Sequence, residues 1–218
     1  MRSILFPSLF ALAIACFFSA PASISYADDS TPVIVYNSLT TPAGGGFSND
    51  LNKPAGQSVT LTGSNRVVTN FEAALDAGNP NTFTIQFLLP DGPGSQPGTV
   101  FWTSPIQTYP YTSGPFNRKV VSVDVPDVTV PDTFVWDVTF VTGGGGVANY
   151  NGPPSVGAAS TAWAFDSLNA NPTTGWGIYG GPAIIFGAQI SAIPEPSTLA
   201  LLALGSLGLF VLRNLKTV

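Results

Sequence analysis

Few residues in this chain are able to do chemistry. Its 218 residues include no His, one Cys and one Met. Without His, a Ser-His or Cys-His nucleophile, a His general base and a His metal ligand are all excluded. A Ser-Lys pair would have to use Lys53 or Lys119. Lys119 adjoins Arg118, and a solvated charge pair is the simpler reading. Glycoside hydrolysis needs two carboxylates at a set separation. Asp124, Asp127, Asp132 and Asp137 are close in sequence, but their positions fit turns and the solvent side of a strand. The Gly143–Gly146 run lacks the Lys-Ser/Thr that follows a phosphate loop. We therefore expect no catalytic residue and no enzyme.

Two patterns point to binding instead. Asp76, Asn79 and Asn81 space three oxygen donors as a Ca²⁺ corner would, although Asx residues fill turns without metal too. No other cofactor is expected. Tyr109, Tyr111, Tyr150 and Trp176 lie in Gly/Pro-rich stretches. There, rings either offer apolar faces to sugars or cap the ends of a core. A carbohydrate-binding module for extracellular polysaccharide is thus the alternative functional reading. Between residues 28 and 193, ten Asp and one Glu stand against Lys53, Arg66, Arg118 and Lys119. With no basic patch, nucleic acid is not expected as a partner.

The elements that position these residues alternate with a period of two. Phe83, Ile85 and Phe87 alternate with Thr82, Thr84 and Gln86, and Val121, Val123 and Val125 alternate with Ser122 and Asp124. Phe134, Trp136, Val138 and Phe140 share one face, with Thr133, Asp137 and Thr139 on the other. Weaker runs cover 33–39, 58–61, 66–75, 99–104, 160–165 and 184–190. Half-buried antiparallel strands require this pattern. Gly and Pro punctuate the gaps, as in Gly44-Gly45-Gly46, Asp91-Gly92-Pro93-Gly94 and Gly152-Pro153-Pro154. The expectation is an all-β antiparallel sandwich or jelly roll. Phe71 to Ala77 is the one segment that could be helical instead.

Both ends are apolar. Arg2 precedes an apolar stretch from Ile4 to Phe18, and Ser25-Tyr26-Ala27 ends in small residues. This predicts a signal peptide over 1–27, cut by signal peptidase after Ala27, with Ala22 as second choice. Cleavage would remove Cys16, leaving no thiol for a disulfide, which fits a bacterial envelope protein. At the other end, Pro194-Glu195-Pro196 is followed by an uncharged run through Leu212, then Arg213 and Lys216. As a helix, residues 196–212 would extend about 25 Å, slightly short of the roughly 30 Å bilayer core. Its seven Leu with Phe210 and Val211 favour insertion by about 3–5 kcal/mol before Gly and Ser subtract from it. The basic end is expected to stay cytoplasmic, leaving the ectodomain, 28–193, outside.

The order Pro-Glu-Pro, short Leu/Gly-rich hydrophobic helix, basic end resembles the PEP-CTERM sorting signal, over residues 194–218. The resemblance implies processing by exosortase, an integral-membrane transpeptidase-like enzyme of Gram-negative bacteria that make extracellular polysaccharide. It also implies transient anchoring in the inner membrane, followed by release to the cell surface or extracellular matrix. More loosely, Gly63 to Leu75 and the hairpin from Asp91 to Trp102 resemble choice-of-anchor domains, which implies a β-sandwich and no particular activity.

Overall fold

A computed structural model describes residues 31–49, 51–77, 80–111, 117–165, 174–179 and 184–195. Contacts separate Met1–Thr31 from Pro32–Val218, and every element below lies in the second unit. The expected signal peptide, 1–27, and the apolar run 196–212 lie outside the described residues. No helix among the described residues is long and apolar enough to cross a membrane.

The alternating segments become strands. In chain order they are β1 (Val33–Asn37), β2 (Pro42–Asn49), β3 (Ala55–Thr60), β4 (Val67–Ala77), β5 (Thr82–Leu88), β6 (Val100–Thr103) and β7 (Gln107–Thr108). There follow β8 (Asn117–Thr129), β9 (Thr133–Thr142), β10 (Gly145–Tyr150), β11 (Ala158–Phe165), β12 (Trp176–Ile178), β13 (Ile185–Phe186) and β14 (Ala188–Ile193). They form two antiparallel sheets. The first joins β1, β14, β4, β10 and β13, with β2 on β10 and β8 on β4. The second runs β12-β11-β3-β9-β5-β6, with β7 also on β5. The chain changes sheet at most connections, as an all-β sandwich of jelly-roll type does.

The alternation predicts which face is buried. Phe83, Ile85, Phe87, Val121, Val123 and Val125 all enter the core, while Ser122 and Asp124 stay exposed. Across the sandwich, Phe71 of the first sheet meets Phe87 and Trp136 of the second, with ring centroids 5.6 and 5.3 Å apart. Phe87 in turn packs on Phe134 at 5.0 Å. Offset and edge contacts at these distances add to the burial of large apolar area. Gln57 ties the sheets together through polar atoms. Its Oε1 accepts from the Phe186 N–H at 2.7 Å, and its Nε2 donates to the Ile184 carbonyl at 3.3 Å.

Three local features depart from the sequence reading. The helix alternative for 71–77 fails because β4 runs through Ala77 and pairs with β8 along its length. The pattern is blurred because Ala74 is buried on the sheet's outer side with Ala148 and Tyr150. Gly44-Gly45-Gly46, expected as a turn, lies inside β2. There a Cβ at Gly46 would meet the Asp76 carboxylate and the Val147 carbonyl at 2.9 Å. A close approach over the sheet, rather than a turn, requires that glycine. The Asp91 loop does close its hairpin: the Asp91 carboxylate accepts from Thr99 N–H and Oγ–H, both at 2.7 Å. Those two bonds hold Asp91 below the ordinary carboxylate range.

Phe71 is fully buried at the crossing of the two sheets, so Phe71→Ala should destabilise by about 3–5 kcal/mol. Denaturant unfolding of the isolated ectodomain measures this as a lower midpoint with an unchanged slope.

Candidate functional site

The site best defined by the sequence is the exit of the chain from the sandwich. β14 is an interior strand, hydrogen-bonded to β1 on one side and β4 on the other. Ala188, Ile190 and Ala192 point into the core with no exposed surface, while Gln189, Ser191 and Ile193 are half-buried. The register pairs Ala192 with both Val33 and Val68, and Ile193 with Val67. Pro194 follows at once. It has no N–H to donate, so the ladder ends there. Pro194 and Glu195 are both exposed; Pro196 lies outside the described residues.

A loop built by Arg66 supports this exit. The guanidinium donates to the Gly63 carbonyl and the Asn65 carbonyl, each at 2.8 Å, and to the Asp132 carboxylate at 2.7 Å. Asp132 is largely exposed, so this ion pair holds geometry more than it adds stability. Asn65, oriented by that loop, donates from Nδ2 to the Ala192 carbonyl at 3.4 Å. The residues leading into the acidic Pro-Glu step are therefore held by backbone pairing and two side-chain bonds, the second from Thr69 Oγ1 to the Ser191 carbonyl at 3.5 Å.

With that geometry in place, comparison with known proteins finds a family match on the same stretch. Residues 192–216 match the model of the PEP-CTERM protein-sorting motif. The chain carries a PEP-CTERM sorting signal. The PEP-CTERM match begins two residues before Pro194, so Ala192 and Ile193 belong both to the motif and to the folded sheet. The motif marks an exported protein sorted through exosortase. No curated protein matches the chain.

The residues expected to bind sugar are placed differently from that expectation. Tyr109, Tyr150 and Trp176 are buried. Tyr109 donates to the Leu75 carbonyl at 3.2 Å, and burial pushes its hydroxyl up to about 12. Trp176 packs edge-on against Phe165 at 5.8 Å. Tyr111 is half-buried against the core. Among the described residues, these rings pack into the hydrophobic cores and form no row of exposed rings.

The expected Ca²⁺ corner is also occupied by protein. Asp76 stands on β4, and Arg118 of β8 binds its carboxylate at 3.1 and 3.3 Å. The same guanidinium donates to the Ala43 carbonyl at 2.8 Å and the Gly45 carbonyl at 2.6 Å, and lies 5.9 Å from the centre of the Tyr150 ring. This cluster pins the glycine-rich β2 across the sheet. Asn81 is buried, with Nδ2 donating to the Gly144 carbonyl at 2.5 Å; Asn79 lies outside the described residues. Arg118→Met should free this arm, measured as faster amide hydrogen exchange at Ala43–Gly46, with exchange of β9 unchanged.

One group escaped the sequence reading. Asp137, expected on the solvent side of β9, has no exposed surface. Neither of its carboxylate oxygens has a hydrogen-bond partner among the described residues. It faces Gly56 on β3 and Gln86 on β5, and Gly56 in turn faces Trp163 on β11. A Cβ at Gly56 would collide with the Trp136 carbonyl. On the same outer side of the sheet, Trp163, Trp176, Leu88 and Val135 form a second small core with Phe165. The Trp163 Nε1–H donates to Ser58 Oγ at 2.8 Å. This second core takes the place of the solvent that alternation implied. Its signal was composition: Trp163, Phe165 and Trp176 are too apolar for a water-facing side.

Desolvation raises the Asp137 pKa to about 8. Because the folded value lies above the unfolded one, the folded state binds the extra proton. Its destabilising effect is absent below pH 4 and grows by about 1.4 kcal/mol per unit as pH rises towards 8. Relative to wild type, Asp137→Asn should therefore gain stability between pH 5 and pH 8. Parallel urea titrations at the two pH values read that difference.

Proposed function

We propose that the protein is a non-enzymatic β-sandwich of the cell envelope or extracellular matrix. Residues 196–212 hold it transiently in the inner membrane. Exosortase reads Pro194-Glu195-Pro196, and the domain is then released or joined to the cell surface. The observation that carries this reading is the sorting-motif match at 192–216, which begins on the last strand of the sheet, with Pro194 and Glu195 exposed beyond it. A proline on either side keeps Glu195 extended, and an extended acidic step just outside a bilayer is what a membrane-bound processing enzyme can reach. The acidic ectodomain carries no cluster of basic residues to attach it to anionic lipid by charge, so the tail is the anchor.

Two measurements in the native host test this. Glu195→Ala should accumulate the uncut, membrane-bound form at the expense of the mature one. Deleting residues 194–218 should give an exported protein that fractionates without the membrane. An unchanged mature mass and location in the Glu195→Ala strain would refute the reading.

A further inference from the structure

The sheet register fixes which end of the sandwich faces the anchor. The ladder of β14 reaches Ile193, and the apolar run begins at Pro196 or, at its uncharged Leu-rich part, Leu199. Three to six extended residues reach at most about 10–20 Å. A domain of this size has a radius of gyration of about 15 Å and is longer than that reach. The end bearing Ile193 is therefore the only one the tether can bring to the bilayer. At that end stand Val33, paired with Ala192, and Ile34, paired with Ser191. They are large apolar side chains left 47% and 44% exposed on the outer strand β1. Of the charges at this end, Arg66 is bound to Asp132, while Glu195 is exposed just beyond Ile193.

We propose that this end, with Val33 and Ile34 at its rim, rests on the lipid surface while the tail is inserted. The occupant is the outer face of the membrane that holds the tail. The contact is weak by itself and is sustained by the short tether, which keeps the effective concentration of the bilayer high. Val33 and Ile34 then lie at headgroup depth, where exposed aliphatic side chains lose contact with water. The opposite end, which carries Gly143 and Gly144 between β9 and β10, faces away. This placement rests on the membrane-anchored reading above.

Single thiols on the full chain test the placement, in a Cys16→Ser background. Val33→Cys is carried with Ile34→Cys as a second probe of the same end. Gly144→Cys reports the far end, where an added Cβ meets nothing within 4 Å. Each protein, labelled with an environment-sensitive fluorophore, is reconstituted into phosphatidylethanolamine/phosphatidylglycerol vesicles carrying a headgroup nitroxide. Flotation is measured on the same samples. Quenching at positions 33 and 34 should exceed that at 144 by threefold or more, and should vanish when residues 194–218 are deleted. Protein that floats with the vesicles but is quenched equally at both ends overturns the placement and leaves the anchor standing. Shielding of position 33 only when exosortase is added assigns this end to the enzyme and likewise overturns the lipid contact. Full-length protein that does not float removes the anchored reading, and the placement with it.

Discussion

The position of β14 constrains the rest of this molecule. A strand only six residues long, hydrogen-bonded on both sides, joins the first strand of the sandwich to its fourth. Ile190 and Ala192 fill the core from it. The sheet cannot be completed until the chain has been made through Ile193, because β1 has no other strand partner among the described residues. The sorting signal begins on the last two residues of that strand. Folding and sorting thus meet at two shared residues, and the same pairing that completes the core also sets the direction in which Pro194 and Glu195 leave it.

Around that strand, stability comes from apolar area and ring packing, with few charges involved. The two sheets meet through Phe71, Phe87, Phe134 and Trp136, and polar ties such as Gln57 cross between them where backbone donors would otherwise be unpaired. Two outer surfaces are covered as well. β2, pinned by Arg118, covers one, and the Trp163–Trp176 cluster covers part of the other. The second cover isolates Asp137 from water, and the chain retains there a carboxylate that is easier to protonate than any solvated one. The glycines of β2 make the first cover feasible, since a side chain at Gly46 would push the arm off the sheet.

Much of the fold was legible because its signals are local. A half-buried strand leaves alternation in its own sequence, so β5, β8 and β9 could be read from Phe83 to Phe87, Val121 to Val125 and Phe134 to Phe140. The sorting signal was legible for the same reason, its motif, spacing and position all lying within about two dozen residues. What could not be read depends on partners distant in sequence. Asp137 follows the solvent-side pattern of β9, and only the arrival of Trp163 and Trp176 makes that side dry. Tyr150 lies over Ala74 and Gly187, a contact that local sequence does not encode. Asp76 looked like a metal ligand because its partner, Arg118, is on another strand. Aromatic and acidic residues near glycines are ambiguous until the sheet order is known.

The central claim is that the tail beyond β14 is an address, removed once it has been read. The mass of the native protein's C-terminus, recovered from surface and medium fractions of the host, tests this most directly. The account predicts a chain that ends at or near Pro194–Pro196 and lacks Leu199 to Val218. Surface protein that still carries Val218 and stays embedded in the membrane would contradict it.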